Sequence, residues 1–116
     1  PVSTSWSPTF TGFSVDPVGI FNYVLSGKTC TISVGIITAG TSNSDSFTIT
    51  LPFVVNDDLS TKYTTGYGMD NGIEGLSYIK FVADSNIVDI YFATPSGLWS
   101  TSGDKTVSFT FTYTIK

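Results

Sequence analysis

The sequence predicts an all-β fold built as an antiparallel β-sandwich or jelly roll. Residues that favour helices are scarce, since Glu74 is the single Glu, Gln is absent and Ala is rare. Thr, Ser, Val, Ile, Phe and Tyr dominate instead, and these residues favour pleated, half-buried strands. Turn residues recur at short intervals with no helix-length crossover between the apolar runs, which excludes a parallel α/β sheet.

Alternation of apolar and polar residues predicts about eight strands. It is clearest near the C-terminus, where Val107, Phe109 and Phe111 face one way while Ser108 and Thr110 face the other. Such a strand has one apolar face and one hydroxyl-bearing outer face. In chain order the predicted strands are Trp6–Phe13, Ile20–Gly27, Lys28–Ile37, Asp45–Leu51, Tyr63–Tyr67, Leu76–Ala83, Ile87–Ala93 and Thr106–Lys116.

Turn residues predict two tight hairpins. Ser26-Gly27 forms one, because Gly adopts positive φ without steric cost, and Ala83–Asn86 forms the other. The simplest register of the second hairpin places Lys80 opposite Asp89 and Tyr78 opposite Tyr91 on the outer face, with Phe81–Val88 and Ile79–Ile90 in the core. The Lys80–Asp89 pair is then a solvated contact worth under about 1 kcal/mol.

Residues 40–52, GTSNSDSFTITLP, are predicted as a turn that leads into a strand. The Gly, Ser and Asn residues bend or cap a turn through side-chain hydrogen bonds. The alternating Phe47, Ile49 and Leu51 then fill the core, and Pro52 ends the strand. Structure rather than binding therefore explains this stretch.

The composition excludes several classes of protein. The chain is predicted as a single domain over residues 1–116, and charged residues make up only 12% of it, so we expect other subunits to cover part of its surface. Arg is absent and the net charge is −4, which argues against nucleic-acid binding. No apolar run is long enough to insert into a membrane, and no signal peptide is visible.

Cys30 lies in an alternating apolar strand and is expected to be a buried structural thiol.

The sequence offers little for catalysis. It contains no His, which removes Ser-His-Asp and Cys-His systems and the usual transition-metal ligand. Paired carboxylates remain formally available for glycoside hydrolysis, and the candidates are Asp57, Asp58, Asp70, Glu74 and Asp89. We interpret them as solvated carboxylates that also lack the oxygen spacing of a calcium loop. The sequence thus predicts no enzyme, no cofactor and no metal site.

Binding residues are expected in Asn56–Gly75, the longest segment without clean periodicity. Tyr can stack on a sugar ring and hydrogen-bond it, while carboxylates and an Asn amide can bond sugar hydroxyls. The candidates are Asp57, Asp58, Tyr63, Tyr67, Asp70 and Asn71. The alternative is that Tyr63 and Tyr67 alternate as ordinary strand residues.

A second candidate loop spans Thr94–Asp104 and contains Trp99. This Trp is either an exposed platform on which a ligand stacks or a plug that closes one end of the sandwich. The plug is favoured, because a fully buried indole contributes more to stability than a half-exposed one.

Three stretches, WSPTFTGFS, GIFNYVLSGKTCTISVGI and GTSNSDSFTITLPF, follow one another from Trp6 to about Phe53. In this order they resemble the motifs of C-terminal domains in tail fibre and receptor-binding proteins of tailed phages and prophages. The resemblance implies a jelly-roll β-sandwich that forms a homotrimer at a fibre tip and contacts the host surface, often a glycan. It also implies a virion location, extracellular on adsorption, and a chain that is the C-terminal tip of a longer or processed protein. The matching residues are turn and core residues, so no binding residue is carried over.

The sequence therefore predicts a non-catalytic receptor-binding domain that contacts a host surface polysaccharide or protein as a homotrimer. A purely structural domain for trimerisation or virion decoration is the alternative, and a glycan-degrading enzyme is less favoured. Ile37, Val82 and Ile87 are apolar residues predicted on outer faces, which a closed symmetric interface would bury.

Overall fold

A computed structural model of the chain describes residues 3–37, 41–42, 44–56, 62–94, 97–100 and 105–116. Within these residues the chain forms eleven β-strands and no helix, so no helical segment of membrane-spanning length is found there. The strands are β1 (Thr4–Ser5), β2 (Phe10–Thr11), β3 (Phe13–Val15), β4 (Val18–Ser26), β5 (Thr29–Ile37), β6 (Thr41–Ser42), β7 (Phe47–Thr50), β8 (Lys62–Asp70), β9 (Ile73–Phe81), β10 (Ile87–Phe92) and β11 (Lys105–Thr114).

Nine of these strands form one antiparallel sheet that is curled into a half-barrel, in the order β1-β4-β5-β11-β8-β9-β10-β7-β2. β3 and β6 form a separate two-stranded ladder. The consecutive strands β8, β9 and β10 form a meander, and β11 returns to pair with β8. This spatial order is that of a Greek key.

The N-terminal strap, residues Thr4–Thr11, joins the two edges of the sheet. Its first strand, β1, pairs with β4, and its second strand, β2, pairs with β7 at the other edge. Between them, the backbone N–H of Trp6 donates to Phe21 O at 3.0 Å, and the indole Nε1 donates to Thr50 O at 3.0 Å. Because Phe21 lies on β4 and Thr50 on β7, one residue holds both edges and keeps the sheet curled.

The hydrophobic core fills the concave side of the half-barrel. Its residues alternate along the strands with residues of the convex face, so the long strands have a buried face and a more exposed face. The buried apolar residues are Phe21, Cys30, Ile32, Val34, Ile36, Phe47, Ile49, Leu51, Val55, Ile79, Phe81, Val88, Ile90, Trp99, Val107, Phe109 and Tyr113.

The segment that follows β7 closes one end of the core. Val55 is fully buried, forms a bridge with Ile115, and donates its N–H to Ser85 O at 3.0 Å. The Tyr113 hydroxyl donates to Phe53 O at 3.0 Å. This segment therefore ties the loop between β9 and β10 to the end of β11.

The structure confirms the all-β antiparallel prediction and most of the predicted hairpin geometry. Lys80 lies opposite Asp89, Ile79 opposite Ile90 and Tyr78 opposite Tyr91, as the alternation requires. The hairpin after β4 is shifted by one residue, because Ser26 pairs with Thr29 and the turn residues are Gly27 and Lys28.

Two predictions about local structure are wrong. The single strand predicted over Trp6–Phe13 is instead divided between both sheet edges, and Gly12, with φ +92°, turns the chain into β3. In the predicted turn of residues 40–45, Thr41 and Ser42 pair with β3 as strand β6, while Gly40 and Asn43 lie outside the described residues.

Candidate functional site

Strand β8 carries two of the predicted binding residues on the convex side of the sheet. Tyr63 and Tyr67 are 47% and 40% exposed. They are four positions apart, so they share one face and lie about 13 Å from each other along the strand. The opposite face of β8 is directed into the core, where Gly68 and Asp70 are buried.

Two further tyrosines from neighbouring strands extend this surface. Tyr78 on β9 lies opposite Thr65, diagonally between Tyr63 and Tyr67, at a spacing of about 7–8 Å. Tyr91 on β10 lies directly opposite Tyr78. Both are half-buried. We call the set Tyr63, Tyr67, Tyr78 and Tyr91 the tyrosine face.

Opposite charges border the tyrosine face. Lys80 lies between Tyr63 and Asp89 across three adjacent strands. The ion pairs found among the described residues are Lys105–Asp70 and Lys116–Asp84, so Lys80 and Asp89 are opposite in register without an N–O contact within 4.0 Å. The surface thus offers aromatic rings, phenol hydroxyls, one ammonium and one carboxylate on a rigid sheet.

Asp70, another ligand-binding candidate of the sequence, does not belong to this surface. It lies at the end of β8 opposite Lys105, and its Oδ1 is 2.9 Å from the Lys105 Nζ. The Lys105 side chain is completely buried and that of Asp70 is 10% exposed. A carboxylate held in this way positions two strands and is inaccessible to a ligand.

Ser100 completes the surroundings of Asp70. Its backbone N–H donates to Asp70 Oδ2 at 2.8 Å, and its hydroxyl donates to Oδ1 at 2.6 Å. Burial raises the pKa of the Asp70 carboxyl, but these hydrogen bonds and the neighbouring Lys105 outweigh it, so the pKa lies below its usual value. Asp70 is therefore a charged structural group.

Asn71 also has a structural position. It forms the β8–β9 turn with Gly72, at φ angles of 50° and 85°, the left-handed geometry of a type I′ hairpin turn. Its side-chain Nδ2 donates to Ser100 Oγ at 2.7 Å. The segment predicted as an aperiodic loop is therefore mostly a hairpin, since β8 runs to Asp70 and β9 begins at Ile73.

Trp99 is the predicted plug and not an exposed platform. It is 2% exposed, its Nε1 donates to Ile90 O at 3.0 Å, and its ring lies 4.8 Å from that of Phe92 and 5.2 Å from that of Phe47. A ligand cannot stack on a ring that is enclosed in this way. Asp57 and Asp58, the remaining candidates, lie outside the described residues.

Sequence reasoning placed Tyr78 and Tyr91 opposite each other on the outer face but did not include them among the binding residues. The signal was available, because the hairpin register puts them beside the strand that carries Tyr63 and Tyr67.

Among the described residues, no group of three or more His, Cys, Asp or Glu side chains is placed to hold a metal ion. Comparisons of the chain with protein-family models, curated proteins and solved structures find no match.

Proposed function

We propose that the chain is a non-catalytic binding module in the tail of a bacteriophage, and that it contacts a host surface glycan through the tyrosine face. The observation that carries the proposal is the exposure of Tyr63 and Tyr67 on one face of one strand. A sheet holds both rings without ordering a loop, so binding costs little conformational entropy.

The chemistry of this surface suits a saccharide. The face of a pyranose ring is apolar and its edges carry hydroxyls, and a tyrosine matches both with its ring and its phenol group. Lys80 and Asp89 border the rings and can donate to and accept from hydroxyls. Asp70, one of the carboxylates considered for hydrolysis, is held by Lys105 and Ser100, which favours binding over catalysis.

We further propose that the half-barrel is a variant of the jelly roll and that the module is a homotrimer at the tip of a fibre. The Greek-key order of β11, β8, β9 and β10 supports the first point. Exposed apolar side chains on the convex face, outside the tyrosine face, support the second, since Val18 on β4 and Ile87 on β10 are 64% and 49% exposed. A closed trimer would bury such residues in a repeated interface.

Substitution of the two exposed tyrosines tests the glycan site. The wild-type protein is expected to bind members of an array of bacterial surface polysaccharides and lipopolysaccharide cores. Tyr63→Ala and Tyr67→Ala should each weaken binding by about 1–3 kcal/mol because each removes a stacking ring. Ser26→Ala is the control, since Ser26 is an exposed residue on β4, which β5 and β11 separate from the strand that carries both tyrosines.

A structural domain without a receptor is the second candidate, and the exposed apolar side chains of Val18 and Ile87 favour it. In that case the folded protein should sediment as a trimer, bind neither the array nor host envelopes, and dissociate when Val18 or Ile87 is changed to Asp. Binding that is lost with Tyr63→Ala while the trimer persists would exclude this candidate.

A further inference from the structure

A cleft of about 450 Å³ opens between the N-terminal strap and strand β4. This volume lies within the range of about 300–1,000 Å³ typical of small-molecule sites. The cleft is far from the tyrosine face, because β5 and β11 separate β4 from β8 in the sheet. Its lining includes Ser5, Trp6, Ser7, Phe10, Phe21 and Asn22.

The path of the strap creates this cleft. The Trp6 N–H donates to Phe21 O on β4. Three residues later the strap pairs with β7 instead, since Thr9 O accepts from the Thr50 N–H at 3.2 Å. The strap therefore leaves β4 at Ser7 and Pro8 on its way to β7. The gap between the two diverging segments is the cleft, and it is fixed at both ends by backbone hydrogen bonds.

Aromatic rings form the apolar part of the lining. The ring of Phe21 lies 5.8 Å from that of Trp6 and 5.7 Å from that of Phe10, both at 67°. Trp6 cannot rotate away, since its indole N–H is bonded to Thr50 O. The lining thus includes an aromatic surface that is already in place before any ligand arrives.

The polar part of the lining is neutral. Ser5 and Asn22 are cross-strand partners and share the convex face, and Ser7 follows on the strap. Hydroxyl and amide groups both donate and accept hydrogen bonds, as sugar hydroxyls do. Among the described residues that line the cleft, none carries a charged side chain. An ionic ligand would lose its hydration there without gaining a counter-charge, whereas a neutral, hydroxyl-rich ring would not.

We propose that this cleft is a second saccharide site that holds one neutral sugar residue, with its apolar face toward the aromatic lining and its hydroxyls toward Ser5, Ser7 and Asn22. The inference extends the proposed function from one glycan-binding surface to two. It does not depend on the tyrosine face, because the two sites share no residue. Two sites on one module would let a long polysaccharide bind with increased avidity.

Amide chemical-shift mapping tests the proposal on the folded protein. The methyl glycosides of glucose, galactose, N-acetylglucosamine and rhamnose are titrated one at a time, with glucuronic acid and glucosamine as charged comparators. We expect at least one neutral glycoside to shift the Ser5, Ser7 and Asn22 amides and the Trp6 indole N–H. The charged sugars should shift these resonances less.

Asn22→Leu is the variant that tests the cleft, because it retains the size of the side chain and removes its carbonyl oxygen and its NH2 group. It should weaken the neutral glycoside about fivefold, the effect of one hydrogen bond. Ser33→Ala is the control, since Ser33 is the exposed neighbour of Asn22 on β5 and does not line the cleft. A Tyr63→Ala, Tyr67→Ala double variant should bind in the cleft like the wild type.

Shifts confined to the tyrosine face would overturn the cleft site and leave the proposed function standing. Shifts in the cleft with no effect of the tyrosine variants on glycan binding would support the cleft and overturn the tyrosine site. No shift at the cleft with any glycoside, or charged sugars that bind there as tightly as neutral ones, would overturn the inference.

Discussion

At the scale of a residue, burial determines the reactivity of Cys30, the single thiol of the chain. Cys30 is fully buried on β5, and burial raises the pKa of its thiol. Because the thiolate is the reactive form, we expect no reaction with a disulfide reagent at pH 8 until the protein is unfolded in urea. Ser33→Cys, on the exposed face of the same strand, should react at once and serves as the control. Rapid labelling of folded wild-type protein would contradict this prediction.

Two glycines of the sheet should respond differently to the same substitution. A Cβ at Gly66 would overlap the Ser108 carbonyl oxygen and lie 2.8 Å from the Phe109 Cβ, whereas a Cβ at Gly35 would have no atom within 4 Å. Gly66→Ala is therefore expected to lower the free energy of unfolding by about 1–3 kcal/mol. Gly35→Ala should change it by no more than about 0.5 kcal/mol. Urea titration measures both, and equal effects would show that the crowding at Gly66 relaxes without cost.

At the scale of the element, the buried pair between β8 and β11 should make stability depend on pH. Asp70 has a lowered pKa in the folded protein, so its contribution is complete above its unfolded pKa of about 3.9 and is lost as the pH falls through the folded value. Asp70→Asn should cost about 3 kcal/mol at pH 7, because it leaves the Lys105 ammonium buried without its counter-ion. The difference between variant and wild type should shrink in acid.

The exposed ion pair of the chain is the control for this experiment. Asp84 and Lys116 are in contact, but their side chains are 50% and 56% exposed. Asp84→Asn should therefore change the free energy of unfolding by less than about 1 kcal/mol. Chemical denaturation between pH 3 and pH 8 compares the two variants. A constant difference between Asp70→Asn and wild type across this range would contradict the assigned role of the carboxylate.

The strands that the sequence predicted well are those whose core positions carry large apolar side chains. The β9–β10 register follows from the simplest hairpin at Ala83–Asn86, which also places Ile79 and Ile90 in the core. The sequence predicts only Tyr63–Tyr67 of strand β8, because the inner positions of β8 include Gly66 and Gly68 and so lack apolar side chains. A Cβ at Gly68 would lie 3.3 Å from the Phe92 ring, so β10, the strand beyond β9, supplies the apolar group that β8 lacks. The alternation of residues within β8 therefore does not show that its inner face is buried.

Only part of the candidate site could be predicted from the sequence. Exposure of Tyr63 and Tyr67 follows from local alternation and was predictable. The burial of Asp70 was not, because its partner Lys105 comes from a strand far along the chain that only the Greek-key return brings beside β8. Charged residues become structural or functional according to such distant partners, and composition does not reveal them.

At the scale of the whole molecule, closure of the sheet depends on the strap, and Trp6→Phe tests this directly. The variant keeps a ring against Phe21 but loses the indole hydrogen bond to Thr50 O, which should cost about 1–3 kcal/mol. Hydrogen exchange should accelerate together at the Trp6 amide, which bonds to β4, and at the Thr50 amide of β7, which bonds to Thr9 O.

Ser77→Ala is the control, because it also removes one side-chain hydrogen bond to a backbone carbonyl, from Ser77 Oγ to Tyr67 O, but between β8 and β9, which do not pair with the strap. It should leave exchange at the Trp6 and Thr50 amides unchanged. If Trp6→Phe accelerates exchange at one edge only, the two edges of the half-barrel open independently and the strap does not couple them. Faster exchange at both amides would show that Trp6 couples the two edges of the sheet into one cooperative unit. The same coupling would fix the shape of the cleft beside β4.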